Sequence, residues 1–293
     1  MRITDRMSLV RSIDSIGQGR AEIARFERQI ASGRRWQTLS EAPLDGRAVL
    51  TIDGDLRAAE QHKRNIESAR SRLAVADSTL DAVTDALTRA RELAIQQGGS
   101  LATPASQAAA QQELHSLRDA VIQLANRRVN GGFVFGGAYA DRPPLDATGA
   151  LDPAFPARGA PQFEIGPQVW APATHDAGEM FIDSDVMGSI AALDTALAAN
   201  DATAIQATAD RLRDAIAQVQ VLVTDVGARQ VRLDMAQEGH EILSDGLLAQ
   251  RSSLADVAIE EAVTQLVARQ SAYQATLLAT SRVLESSLVN YLR

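Results

Sequence analysis

The chain has 293 residues, 45% of them hydrophobic and only 4% aromatic, with no cysteine and a formal net charge of −8. A length of this order holds two or three units as readily as one core, and the missing cysteines exclude a disulfide framework, zinc thiolates and a cysteine nucleophile. The acidic balance speaks against a nucleic-acid binder, and no apolar run approaches the roughly 20 residues of a membrane span.

At the N-terminal end, Leu9, Ile16, Ile23 and Ile30 recur every seven residues with Ile13 and Phe26 beside them, which predicts an amphipathic helix from Thr4 to about Gly33. Residues 1–36 carry eight Arg against Asp5, Asp14, Glu22 and Glu27, a balance of +4 that leaves −12 for the remainder. Arg2, Asp5, Arg6, Arg11 and Asp14 interrupt any apolar core of a cleavable signal peptide. Gly17 and Gly19 each cost about 1 kcal/mol relative to Ala in a helix interior, so this helix is expected to fray until something packs on it.

Arg34 to Pro43 reads as a joint, with Trp36, a potential cap at Ser40, and Pro43 suited to a first helical turn. From there to Gln97 the pattern is helical, and Ile66, Ala69, Leu73, Ala76, Leu80, Val83, Leu87, Ala90 and Ala94 alternate steps of three and four. Gly98 and Gly99 stop it. Thr103-Pro104 opens a further helix with Ala110, Leu114, Leu117, Val121 and Leu124 on its apolar face, ending by Asn130, Gly131 and Gly132.

Seven of the 9 prolines then fall between Pro143 and Pro172. Short alternating runs at Gly132–Gly136, Gln162–Ile165, Gln168–Trp170 and Glu179–Ile182 predict hairpins and loops. Helix resumes near Val186, breaks at Asn200 and Asp201, and continues with Ile205, Leu212, Val219, Val226 and Leu233 at intervals of seven. Ser253 with Asp256 resembles a capping box that opens a last helix. In that helix Ile259, Val263, Leu266, Gln270, Tyr273, Leu277, Thr280, Leu284, Leu288 and Tyr291 form a seam, with few charges to keep it in water.

The expected fold is mainly α, an elongated helical bundle or coiled coil built from both chain ends, with a small β-rich insert in the middle. Its expected parts are an N-terminal end helix over 1–40, rod helices over 41–137, the insert over 138–186, returning rod helices over 187–250 and a C-terminal end helix over 251–293 that pairs with 1–40. The rod seams suit intramolecular bundling. The end seams suit packing between subunits, through Leu9, Ile16, Ile23, Ile30, Ile259, Val263, Leu266, Leu277, Leu284 and Leu288.

Nothing in the chain predicts chemistry. Gly131-Gly132 and Gly136-Gly137 lack the Lys-Ser/Thr of a phosphate cradle. His62, His115, His175 and His240 lack ligand spacing and read as helix-surface residues, and Asp53-Gly54-Asp55 lies in a helical run without the distal Glu of a calcium loop. No metal, cofactor or catalytic residue is expected.

This plan resembles the bacterial flagellin family. The N-terminal stretches that carry the likeness are Met1-Arg2-Ile3-Thr4, Gln29-Ile30-Ala31-Ser32-Gly33-Arg34-Arg35, Ser40-Glu41-Ala42-Pro43, Arg89-Ala90-Arg91-Glu92-Leu93-Ala94-Ile95-Gln96 and Leu124-Ala125-Asn126. At the other end they are Asp256-Val257-Ala258-Ile259-Glu260-Glu261-Ala262, Gln270-Ser271-Ala272-Tyr273-Gln274-Ala275 and Leu288-Val289-Asn290-Tyr291-Leu292. The turn Phe133-Val134-Phe135-Gly136-Gly137 and the Asn-Tyr-Leu ending favour the branch that joins hook to filament over the filament flagellins. The resemblance covers roughly 1–140 and 200–293; the insert matches nothing in the family pattern.

The resemblance implies a secreted structural subunit, not an enzyme, exported through the flagellar type III pathway on an uncleaved N-terminal segment. It implies end helices lining a tube, rod helices around them and an outward insert. The implied partners are further copies of the chain, the first hook-associated protein on the hook side, filament flagellin beyond, and an export chaperone on the C-terminal helix. A short filament flagellin, or a coiled-coil adaptor without a flagellar role, are the alternatives.

Overall fold

The structure, a computed structural model, describes residues 2–99, 103–129, 131–153 and 157–291. Side chains are described except at 2–6, 8, 9, 12 and 283–291. The chain is mainly α with a small β-rich region, and it divides into two compact units, one of Met1–Arg57 with Ser244–Arg293, the other Ala58–Leu243.

The first unit is built on α1 (Arg2–Ser32) and α6 (Ile259–Tyr291), with the opening turns of α2 (Pro43–Gln97) and the closing turns of α5 (Ala202–Ala255). The half-buried residues Ile16, Gly19, Ile23, Phe26 and Ile30 share one face of α1. Gly19 on that face meets the Tyr273 ring, and Arg269 Nη1 lies 3.1 Å from Glu22 Oε2, so α6 runs antiparallel along α1. The α6 side of the pair is Ala262, Leu266, Gln270, Tyr273, Thr276 and Thr280.

The corner between α5 and α6 is held by the α1–α2 joint. Arg35 N donates to Ala255 O at 2.7 Å, Val257 N to Gly33 O at 2.9 Å, and Trp36 Nε1 to Leu254 O at 3.1 Å. This corrects the capping box expected at Ser253, because α5 continues to Ala255 and Ser253 Oγ donates back to Gln250 O. The carbonyls at the end of α5 take their donors from some 218 residues away, a contact that local spacing does not encode.

In the second unit α2 and α5 bury their regular positions together with α3 (Pro104–Ala125) and α4 (Val186–Ala199). Ile66, Leu73, Leu80, Val83 and Leu87 of α2 and Ile205, Leu212, Val219 and Val226 of α5 have no exposed surface. Apolar burial of this kind contributes about 1.5–3 kcal/mol per large side chain. The start of α3 is a reciprocal cap, Ser106 N donating to Thr103 Oγ1 and Thr103 N to Ser106 Oγ, with Pro104 in the first turn where its missing N–H costs nothing. Arg70 of α2 pairs with Asp234 of α5 on the rim of the bundle.

The β-rich region is two hairpins, β1 (Arg128–Val129) with β2 (Gly132–Phe133) and β3 (Gln162–Gly166) with β4 (Val169–Pro172), both antiparallel. The run Glu179–Ile182, expected as a strand, lies within a π-helical segment over Gly178–Asp183. Its adjacent Met180 and Phe181 are both buried, which a strand with one solvent face does not allow. Phe135 and Phe181 form the centre of this region, edge to face with ring centroids 5.8 Å apart.

The histidines depart from the surface expectation. His62 and His240 are buried and stacked, ring centroids 5.2 Å apart, and their nitrogens face β3 carbonyls, His62 Nδ1 3.3 Å from Glu164 O and His240 Nε2 2.7 Å from Ile165 O. His175, 3% exposed, lies between Glu179 Oε2 at 2.9 Å and Asp225 Oδ2 at 3.0 Å. His115 stays at the surface, 2.8 Å from Asp194. A buried imidazole needs polar partners, and here strand carbonyls and carboxylates supply them.

Candidate assembly site

In the first unit the two chain ends pack on each other. Each end helix spends one face on the other and keeps a second apolar face. On α1 that face exposes Met7 51%, Val10 51% and Ile13 57%; on α6 it exposes Ile259 54%, Val263 42%, Val267 56% and Leu278 66%. Large apolar residues clustered in the open mark contact surfaces.

The residues named from the sequence therefore separate. Ile16, Ile23, Ile30 and Leu266 are half-buried within the α1–α6 pair, whereas Ile259, Val263 and Leu277 are exposed. The side chains of Leu9, Leu284 and Leu288 lie outside the described residues. Met7, Val10, Val267 and Leu278 were not named, although Val263, Val267 and Leu278 follow one face of α6 at steps of four and eleven, a second stripe beside the first.

A second feature lies where α1 meets the joint. Arg25, Arg28 and Arg35 line a surface cavity of about 540 Å³ with Trp36, Gln37 and Glu41. Arg35 Nη2 is committed to Asp45 Oδ2 at 2.6 Å and to Leu254 O at 2.8 Å, and Glu41 accepts from Gln37 N and Thr38 Oγ1. Arg28 Nε donates to the helix carbonyl Ala24 O, and Arg25 lies over the Phe26 ring. Among the described residues neither has a carboxylate within ion-pair distance.

Among the described residues there is no group of His, Asp and Glu able to hold a metal ion, and no helix long and apolar enough to cross a membrane. The resolved shifts in titration belong to surface ion pairs and a turn: Arg89 holds Glu113 below the ordinary carboxylate range, Arg158 does the same for Asp183, and the Thr148 hydroxyl with the Ala150 and Thr148 amides does so for Asp146.

Residues 4–140 match the family model of the bacterial flagellin N-terminal helical region. Over that stretch the chain is similar to flagellins, and its two apolar end helices paired across the chain give it a mainly α, flagellin-like fold. Over 94% of its length it is 24% identical to the flagellar hook-associated protein 3 of Salmonella typhimurium, covering 95% of that protein. It is 29% identical to a 30.7 kDa core protein of the flagellar filament of Treponema maltophilum, over 69% of this chain and 67% of that one. Over 74% of its length its fold is similar to that of a flagellar hook-associated protein from Vibrio parahaemolyticus, with a TM-score of 0.66 at 20% identity and all of that chain covered.

Proposed function

We propose that this chain is a structural subunit of the bacterial flagellum, placed where hook passes into filament and held there by helix packing between copies. The observation that carries this reading is the second apolar face of the α1–α6 pair, which no residue of the first unit covers among those described. Burying the exposed part of Val267 and Leu278 between subunits contributes roughly 1–2 kcal/mol each. Its likeness to hook-associated protein 3 along nearly the whole chain supports the junction position. On this reading 138–186 is the outward part, the hook side is met by the first hook-associated protein, and filament flagellin lies beyond.

Export by the flagellar type III route, with a chaperone on α6 beforehand, fits the same face. An uncovered apolar helix in the cytoplasm is an aggregation hazard until something shields it. The test is Val267→Asp with Leu278→Asp. Both residues are exposed, so the helical content of the purified chain stays as it is, while incorporation into flagella is lost because an unpaired carboxylate is costly to bury. Normal incorporation of this variant would remove the face from the account. The similarity to a filament core protein favours one second reading, a short filament flagellin, which position along the flagellum separates from the first.

A further inference from the structure

We propose that the arginine pocket at the end of α1 receives an acidic stripe of a second copy, the carboxylates of Asp77, Asp81 and Asp85 on α2, so that subunits meet through matched charge as well as apolar faces. The inference rests on self-assembly as read above and names the surface the pocket would meet.

On the basic side, Arg25 and Arg28 are three residues apart on one helix, about 4.5 Å along its axis. Both are exposed, and among the described residues both lack an acidic partner. Arg35 and Trp36 are fixed by donating to Leu254 O at the end of α5 and Glu41 by accepting from Gln37 N, so this side of the pocket is formed before anything enters it. It opens to solvent with an excess of positive charge.

On the acidic side, Asp77, Asp81 and Asp85 step four residues at a time along α2, about 6 Å per step, with Asp81 and Asp85 exposed and Asp77 half-buried. Like charges at this spacing destabilise a helix by a few tenths of a kcal/mol per pair. Among the described residues no cation relieves it: Arg89, four residues on from Asp85, is taken by Glu113 at 2.6 Å and Glu92 at 3.0 Å. Arg127, which reaches this stretch, donates to Ser78 and Thr79. A stripe that repels itself, about 12 Å long on one helix face, and a pair of arginines without acids on one face of another are complementary surfaces.

The two surfaces are different parts of the chain. A contact between different patches repeats from copy to copy and does not close on itself as a twofold dimer does, which is what a layer in a tubular assembly requires.

The chain has no cysteine, so thiols placed in it are its only ones. In cells lacking their own copy of the protein, flagella carrying the Arg28→Cys, Asp81→Cys double variant are treated with a short bismaleimide. The expected result is a ladder of linked subunits, absent from either single variant. Separately, Arg25→Glu with Arg28→Glu is expected to lower incorporation at least tenfold, as is Asp81→Arg with Asp85→Arg, while the four changes together restore it to within about twofold. Incorporation of the double-cysteine variant without a ladder, or failure of the four-residue swap to restore what each half removes, would overturn the charged contact alone. Absence of the unaltered chain from flagella would overturn the assembly reading beneath it.

Discussion

Gly19 of α1 lies directly beneath the ring of Tyr273 of α6: a methyl group on Gly19 would stand 3.2 Å from Tyr273 Cδ2. The glycine that weakens α1 as an isolated helix is the one that lets α6 approach. Gly17, two residues earlier, faces open space. Gly19→Ile is expected to push the tyrosine aside and lower the thermal stability of the end helices, an overpacking cost of about 1–3 kcal/mol. Gly17→Ala is expected to raise it by about 0.5–1 kcal/mol through the helix term alone. Circular dichroism at 222 nm during heating reads both, and equal effects at the two sites would remove the close approach as the reason for Gly19.

The turn Phe133-Val134-Phe135-Gly136-Gly137 has an equally specific cause. Phe135 is fully buried against Phe181, and Gly137, at φ +61°, passes under the backbone of Arg158, where a methyl group would lie 2.6 Å from the carbonyl oxygen. Ala138 N donates to that same oxygen at 3.2 Å. Gly137→Ala is expected to cost about 1–3 kcal/mol, read as faster hydrogen exchange at Ala138 and Gly178, with the amides of α2 and α5 unchanged. Unchanged exchange at Ala138 would contradict it.

Arg158 also reaches Asp183 at the end of the π-helical segment, a bidentate pair that holds the aspartate below the ordinary carboxylate range. Because the folded carboxyl titrates below its unfolded counterpart near 3.9, the pair contributes its full stability above about pH 4 and loses it as pH falls through the lower, folded value. Both side chains are about half exposed, so solvent screens the effect and it is small. Denaturant midpoints measured from pH 6 downward are expected to fall less steeply in Asp183→Asn than in the unaltered chain. Parallel curves would show that the pair does not couple to folding.

Much of this fold was legible as spacing. Ile205, Leu212, Val219, Val226 and Leu233 recur at sevens because each returns to one face of α5, and all five are buried. The same rule held a signal that residue type concealed. His62 stands four before Ile66 and His240 seven after Leu233, both on the inner faces of their helices, but a histidine reads as a surface residue until the strand carbonyls that face it are known. The π-helical segment was hidden because Phe181 packs edge to face on Phe135 from a distant loop, with Met180 buried beside it, and alternation does not show this.

The end helices show what spacing alone leaves open. An apolar seam says that a helix needs a partner and not which one. The geometry assigns Ile16, Ile23 and Leu266 to the α1–α6 pair and leaves Val263, Val267 and Leu278 outside it. Arg25 and Arg28 entered the sequence reading only as part of a +4 balance, since unpaired charge is a property of the folded surface and not of composition.

The central claim is a position on the flagellum, and antibody-gold labelling of intact flagella from the source bacterium measures that position directly. The account predicts a single narrow band where the curved hook meets the filament. Label along the full filament would contradict it in favour of a filament subunit, and flagella without label, beside protein retained in the cytoplasm, would contradict the flagellar role itself.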